Sequence, residues 1–357
     1  MTASLRDYYK NKKVLVTGHT GFKGSWLSLW LSEIGSKVIG FSLDSPTSPS
    51  HFEICGLENR MVSIRGDIRD LGALRRVVRD YSPELVFHLA AQSLVRRSYR
   101  EPADTFETNV MGTVNLLEAC RQAPSVRVII NVTSDKCYEN KEWIWGYREN
   151  DAIGGHDPYS SSKGCAELVT TAYARSYFQA AGQPGPCKAL ASVRAGNVIG
   201  GGDWAEDRLI PDCIKALSAH ASIIVRSPQS VRPWQHVLEP LYGYLMLAAR
   251  MHAAPAELSG AWNFGSNDDS FITVGAMVEA VVQQWGEGTI DSRPDLALHE
   301  TQVLRLDSSK ARTILGWKPR WDVRTSVAKT VAWYRRHLAG EDMLAVSKEQ
   351  IADYSGC

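Results

Sequence analysis

Tyr159 and Lys163 stand four residues apart in YSSSK, and Ser134, Asp135 and Lys136 follow one another some way upstream. If the first segment is helical, phenol and ammonium share one face. An ammonium there opposes retention of the phenolic proton, so that Tyr159 can act as a base near neutrality. A hydroxyl, a carboxyl and an amine beside that pair would complete a site for moving protons and a hydride. A Tyr-x-x-x-Lys spacing is common by itself, and its meaning depends on what positions it.

Two elements must do the positioning. The apolar run Val128, Ile129, Ile130 and Val132 reads as a buried parallel strand delivering Thr133 to Lys136 at its C-terminal end. A polar loop bearing Gly and Trp follows, and Tyr159 then opens a helix. Near the start, residues 13–17 (KVLVT) form a short apolar strand, succeeded at once by Gly18-His19-Thr20-Gly21-Phe22-Lys23-Gly24 and by helical periodicity from Ser25 to Ile34. Strand, glycine turn and helix make the context of a dinucleotide fingerprint, spaced here G-x-x-G-x-x-G. Gly18 permits the tight turn, Gly21 lets backbone N–H groups approach a pyrophosphate, and Gly24 lets the helix sit close on the strand. Gly18, Thr20, Gly21, Phe22 and Gly24 are the candidate contacts to NAD in this turn.

Other strand ends extend the cofactor side. Residues 37–43 are a second strand, and Asp44 after it would accept hydrogen bonds from an adenosine ribose and repel a 2′-phosphate, favouring NAD over NADP. Ser42 is the alternative occupant of that point. A third strand, 61–64, leads to Asp67 and Ile68; Asp67 either contacts the adenine amine or caps the following helix. The fourth strand, 85–89, opens into Ala90, Ala91 and Gln92, small enough at first for close passage of a cofactor. Residues 106–120 are helical, yet Asn109 in their middle is a poor helix former. A buried relay near the site or a solvent-facing side chain would each account for it.

Crossover helices between apolar strands indicate an α/β fold with a doubly wound parallel sheet. A surface turn is expected at Gln183-Pro184-Gly185-Pro186. Residues 189–194 form another strand, leading to Asn197 and the glycine cluster 200–202. Thereafter short strands and helices alternate among loops rich in Arg and Trp. The expected division is an NAD-binding domain over 1–195, to which 236–265 returns, and a smaller, partly interwoven α/β substrate domain over 196–357. Arg208, Arg226, Arg232 and Arg305 are candidates for gripping a diphosphate, with Arg232 in VRPWQHV foremost. Ser93 and Asn197 complete the substrate-side set.

Composition narrows the class. With 40 Lys and Arg against 39 Asp and Glu, the net charge of +1 gives no reason to expect a nucleic-acid or membrane surface. No run reaches the roughly 18 apolar residues of a membrane span, and MTASLRDYYKNKK lacks the apolar core of a signal peptide. The seven cysteines are dispersed without a CxxC pair, which fits reduced thiols in a cytoplasmic protein and no metal site.

TGHTGFKG, AAQSLVRRS, TNVMGT, TSDK and YSSSK, in this order, resemble the extended short-chain dehydrogenase/reductase family. Within it the chain is similar to the nucleotide-sugar 4,6-dehydratases. TSDKCYEN, RAGNVIGGGDWAEDRLIPD, RPWQHVLEPL and RLDSSKARTILGWKPRW resemble most the branch acting on CDP-glucose. The resemblance runs from about Lys13 to about Trp333. It implies a Rossmann domain holding NAD, a nucleotide-sugar domain, a homodimer or tetramer built on paired helices, and a role in deoxysugar supply for bacterial surface polysaccharide such as O-antigen. In the dTDP-glucose branch the triplet here occupied by Ser134, Asp135 and Lys136 is Thr-Asp-Glu, so the identity of the C5 base does not transfer directly.

The implied chemistry assigns C4 deprotonation to Tyr159 aided by Lys163, a shared hydrogen bond to Ser134, C5 deprotonation to Lys136, and protonation of the departing C6 hydroxyl to Asp135. Asp135 must then hold a proton and Lys136 lack one, against solution values of about 3.9 and 10.4. Desolvation pushes both in the needed direction, whereas an ion pair between them would do the reverse. A 4-epimerase would need Tyr159, Lys163 and Ser134 without the Asp-Lys pair. A catalytically silent NAD sensor would need none of these side chains.

Overall fold

Side chains alternate between the two faces of each strand, and here both faces are covered, so the strands read as unbroken apolar runs. Val14, Val16, Val128 and Ile130 enter one buried cluster, while Leu15 and Ile129 enter the cluster on the opposite face. The computed structural model describes residues 3–178, 187–266, 271–293 and 304–356; the turn expected at 183–186 and Cys357 lie outside the described residues.

The strands are β1 (Lys13–Thr17), β2 (Lys37–Ser42), β3 (Val62–Arg65), β4 (Leu85–His88), β5 (Val128–Val132), β6 (Ala189–Ala195), β7 (Asn197–Ile199), β8 (Ile223–Val225), β9 (Val231–His236), β10 (Gly260–Phe264), β11 (Phe271–Thr273) and β12 (Ile290–Ser292). Seven of them form a parallel sheet in the order β10-β6-β5-β4-β1-β2-β3, with helices on both faces. The α/β doubly wound architecture is the one expected. Chain direction across the sheet reverses between β1 and β4, which opens a crevice at their C-terminal ends. The glycine turn after β1, Ala90 after β4 and Ser134 after β5 all border that crevice.

Beyond β6 the chain makes two smaller sheets, β11-β9-β7 and the pair β12-β8. The helix Leu238–Met251 then carries the chain back, and β10 joins the large sheet beside β6. The C-terminal helix Met343–Ser355 returns as well: Ser347 meets His51, which stacks on Trp26 of the first crossover helix. Among the described residues, no helix is long and apolar enough to cross a membrane.

Candidate active site

Two of the three glycines in the first turn have no room for a side chain. Gly18 has a φ of +74°, and a Cβ there would lie 2.6 Å from the Ala90 nitrogen. On Gly24 a Cβ would lie 2.0 Å from the Gly18 carbonyl oxygen. Gly21 differs, because the nearest atom to its Cβ would be that same oxygen at 3.4 Å, leaving the other side open. Gly21 caps the helix beginning at Phe22 without a side-chain bond of its own. Exposed N–H groups at an open helix N-terminus fit the pyrophosphate of a dinucleotide.

Thr20 ties this turn to the end of β2. Its hydroxyl donates to the Leu43 carbonyl at 3.0 Å and meets the Ser42 hydroxyl at 2.9 Å. Asp44 lies two residues past the end of β2, with its side chain 91% exposed and paired with Arg65 at 2.8 Å. Of the two candidates for the ribose contact, Ser42 is thus the one that reaches the glycine turn. Asp67 accepts from the Arg69 amide at 2.8 Å and from the Arg69 guanidinium, which holds its carboxyl below the usual range. The cap of the next helix belongs instead to Asp70, which accepts from the Ala73 amide. The Ile68 side chain is buried against Gly112.

Asn109 has a specific task. It lies in a π turn, Glu107–Met111, within a longer helix, and it is buried. Its amide donates to the Gln92 carbonyl and to the Ser162 hydroxyl, each at 2.9 Å, while its oxygen accepts from the Gln92 amide at 2.9 Å. The relay reading therefore holds and the solvent-facing one does not. Asn109 pins the segment after β4 to the helix bearing Tyr159. Ala90 and Ala91 on that segment are half-buried beside the glycine turn.

The helix Pro158–Tyr173 starts where it does because Asp157 caps it, accepting from the Ser160 amide at 2.9 Å, and Pro158 fills the first turn. This brings Tyr159 and Lys163, both buried, against the end of β5. The Lys163 ammonium donates to the Val132 carbonyl at 3.3 Å. Ser134 donates to the Asp135 carboxylate at 3.0 Å and accepts from the Lys136 amide at 3.2 Å.

Burial sets the electrostatics. It raises the Tyr159 phenol to about 12, against an opposing hydrogen bond from Ser134. The lowering expected from Lys163 is absent, because desolvation outweighs any stabilisation of the phenolate. Lys163 itself is pulled down to about 8 by burial, with Glu167 and Cys137 opposing the fall. Burial raises Asp135 above the ordinary carboxylate range, although Lys136 and Ser134 work against it. The ion pair that could have fixed Asp135 and Lys136 in the wrong charge states does not form: among the described residues no carboxylate lies within salt-bridge distance of the half-buried Lys136.

The substrate-side candidates are spread more widely. Arg208 bonds Asp203 at 3.1 Å and Ser93 at 3.3 Å, and its charge is felt by Tyr159. Asn197 opens β7, with Trp234 of β9 as its register partner. Arg232 lies on β9, donating to the Val231 carbonyl at 3.0 Å. Arg305 stacks on Phe271 at 4.5 Å, and its buried Nε has no hydrogen-bond partner among the described residues. Arg226 pairs with Asp207 at 3.0 Å.

Sequence reasoning passed over Lys23. Burial lowers it to about 8, Arg208 and Lys163 lower it further, and Asp135 opposes them. Its charge therefore belongs to the catalytic cluster. The available signal was a cation in the first turn of a helix, where the dipole disfavours it. Glu167 and Arg194 were passed over too. Glu167 stands four residues beyond Lys163, and Arg194 interrupts the apolar strand ALASVRA. Among the described residues, no cluster of His, Cys, Asp and Glu is arranged to hold a metal ion.

A doubly wound sheet, a glycine turn at its switch point and a Tyr-Lys face beside Ser134 define a short-chain dehydrogenase/reductase of the extended type. The chain belongs to the family described as GDP-mannose 4,6 dehydratase, whose model matches residues 15–330. It is 51% identical over 354 residues to the CDP-glucose 4,6-dehydratase of Salmonella typhimurium strain LT2, covering 98% of each chain. It is 28% identical to a dTDP-glucose 4,6-dehydratase of Xanthomonas campestris, covering 90% of this chain and 92% of the other. Among solved structures, the dTDP-glucose 4,6-dehydratase DesIV from Streptomyces venezuelae, with NAD bound, superposes with a TM-score of 0.76 at 25% identity, over 93% of this chain and 99% of that one.

Proposed function

We propose that this chain converts CDP-glucose to CDP-4-keto-6-deoxyglucose and water, with NAD held at the glycine turn. The observation that carries the reading is the meeting of Asp135, buried beside the Ser134 hydroxyl, with the face formed by Tyr159 and Lys163. Identity to the Salmonella enzyme over nearly the whole of both chains supports CDP-glucose as the substrate. NAD bound there supplies the acceptor for the C4 hydrogen and later the donor at C6, so the overall reaction has no net redox change.

The residues divide the remaining work. Tyr159 is assigned the C4 hydroxyl proton, which requires its phenol to be ionised against the burial that raises it. The Ser134 hydrogen bond and the Arg208 charge work in that direction, and Ser134 also shares a hydrogen bond with the C4 oxygen. The C4 ketone then makes the C5 proton removable, because the carbanion delocalises onto oxygen. Lys136 takes that proton and would give one back to C5 when C6 is reduced. Asp135, whose burial favours its protonated form, gives its proton to the departing C6 hydroxyl, and water leaves. Arg208, Arg232 and Arg305 are assigned to the diphosphate. In this reading residues 1–195 with 236–265 serve NAD, and the rest of 196–357 serves the nucleotide sugar. Exposed Met111 and Leu168, on neighbouring helices, suit a homodimer or tetramer built on paired helices, working in the cytoplasm.

Purified protein should turn CDP-glucose, in preference to dTDP-, UDP- and GDP-glucose, into a 4-keto-6-deoxy product. An epimer, or no product, would sink the reading. Tyr159→Phe should remove every step. Lys136→Ala should still oxidise C4, accumulating the near-ultraviolet absorbance of reduced nicotinamide, while solvent deuterium fails to enter C5. Its turnover should fall on the order of 100- to 10,000-fold, as for loss of a general base. Near wild-type turnover would return Lys136 to a structural role.

A further inference from the structure

Behind the catalytic face lies an ion pair that the reaction does not use. Arg194 on β6 and Glu167 on the Tyr159 helix each have side chains only 3% exposed, and they form a fork: Nε to Oε1 at 2.8 Å and Nη2 to Oε2 at 2.7 Å. Glu167 also accepts from the Ser192 hydroxyl at 2.6 Å and from the Thr133 hydroxyl. Arg194 donates through Nη1 to the Tyr138 hydroxyl at 2.6 Å, and Tyr138 donates to Asn263 of β10 at 2.8 Å. A buried pair of this kind is weak evidence for stability alone, since well-packed apolar residues would often serve as well. Its bonds instead converge on one place. Thr133 immediately precedes Ser134, and Tyr138 follows the segment carrying Asp135 and Lys136.

We infer that Glu167, fixed in place by Arg194, is a positioning residue that sets the electrostatic environment of Lys163 and locks the strand end bearing Ser134 and Asp135. Glu167 follows Lys163 by one helical turn, so their side chains share a face. It is the largest influence opposing the fall of Lys163. The other charges and titratable groups facing Lys163 are Tyr159 on its own helix, Cys137 from the short helix after β5, His88 from β4 and Lys23 from the glycine turn. His88 is held neutral by burial, and burial pushes the Cys137 thiol up, so neither replaces the carboxylate. Lys23 works the other way.

This inference rests on the reading that Lys163 assists Tyr159, and its test has a readout independent of turnover. In NAD-loaded protein carrying 13Cε-labelled lysine, the Lys163 signal is assigned by its loss in Lys163→Arg and titrated. Glu167→Gln should move its midpoint down by about one pH unit or more, the size expected for loss of a close opposite charge. The alkaline limb of CDP-glucose turnover should move the same way, with KM little changed. Thr133→Val, which removes the hydroxyl's bonds to Glu167 and to the Val193 carbonyl but no charge, should leave the midpoint within a few tenths of a unit. If Glu167→Gln does not fold, Glu167→Gln combined with Arg194→Met leaves no unpaired charge and carries the same expectation. A folded variant with an unmoved midpoint overturns the proposal, and so does failure of both to fold, which would make the pair a folding element only. A shifted midpoint in a protein that forms no dehydratase product would keep the positioning role and remove the functional reading instead.

Discussion

Two arginine–carboxylate pairs in this protein meet at nearly the same distance in opposite surroundings, one as a two-bond fork and one through a single bond. Arg194 and Glu167 meet at 2.7 Å behind the catalytic face, each side chain 3% exposed. Arg65 and Asp44 meet at 2.8 Å at the edge formed by β2 and β3, with side chains 38% and 91% exposed. Distance alone would rank them equal. In the interior, water cannot compensate a lost partner, so each charge obliges the other to be present. At the edge, water and salt screen the pair, and either side chain can be removed at little cost. Tyr159, Lys163, Asp135 and Lys23 share the interior setting, and all are shifted chiefly by desolvation.

The comparison breaks most visibly at Arg194. Arg194→Met leaves the Glu167 charge buried without its partner, and should destabilise the fold by about 3–5 kcal/mol. Denaturant unfolding would read this, and a loss below about 1 kcal/mol would mean that the interior pair behaves like the edge pair. An intermediate effect is expected from Lys163. Its folded pKa of about 8 lies below the unfolded value, so between about 8 and 10.5 the unfolded chain binds the proton more readily. Stability should therefore rise with pH across that window, by up to on the order of 3 kcal/mol. Lys163→Met should remove that share of the rise and be the more stable protein at neutral pH, although inactive. A rise of equal size in the variant would assign it to Lys23 or another group. The smallest effect belongs to Asp44. Asp44→Ala should change stability by about 0.2–1 kcal/mol, as for exposed pairs in general. It should also leave the NAD/NADP preference in place, because Ser42 and not Asp44 reaches the glycine turn. A sharp gain in NADP use would restore Asp44 as the gate against the 2′-phosphate.

Much of the catalytic side was legible. The glycine turn is largely local chemistry: its third glycine is forced by the Gly18 carbonyl within one strand–turn–helix unit and its first by a φ of +74°, although the backbone that closes on Gly18 is that of Ala90 after β4. The start of the Tyr159 helix is local as well, set by Asp157 and Pro158. The triplet Ser134-Asp135-Lys136 follows directly from an apolar strand. What could not be read were the contacts made across the sheet. Asn109 looks like a blemish in a helix until Gln92 and Ser162 arrive beside it from two other elements. The expected fall of the Tyr159 phenol followed from spacing to Lys163, whereas its actual rise follows from how little water the closed packing leaves.

The sequence by itself therefore determined the elements, their parallel arrangement, the cofactor turn and the residue types at the catalytic face, because periodicity, caps and glycine geometry act over a few residues. Only the tertiary structure decided the charge states. Whether Asp135 pairs with Lys136, whether Ser42 or Asp44 meets the glycine turn, and whether Arg194 stands behind Glu167 depend on desolvation and on neighbours brought together by the fold. Burial is a property of the assembled fold, and no stretch of chain carries it alone.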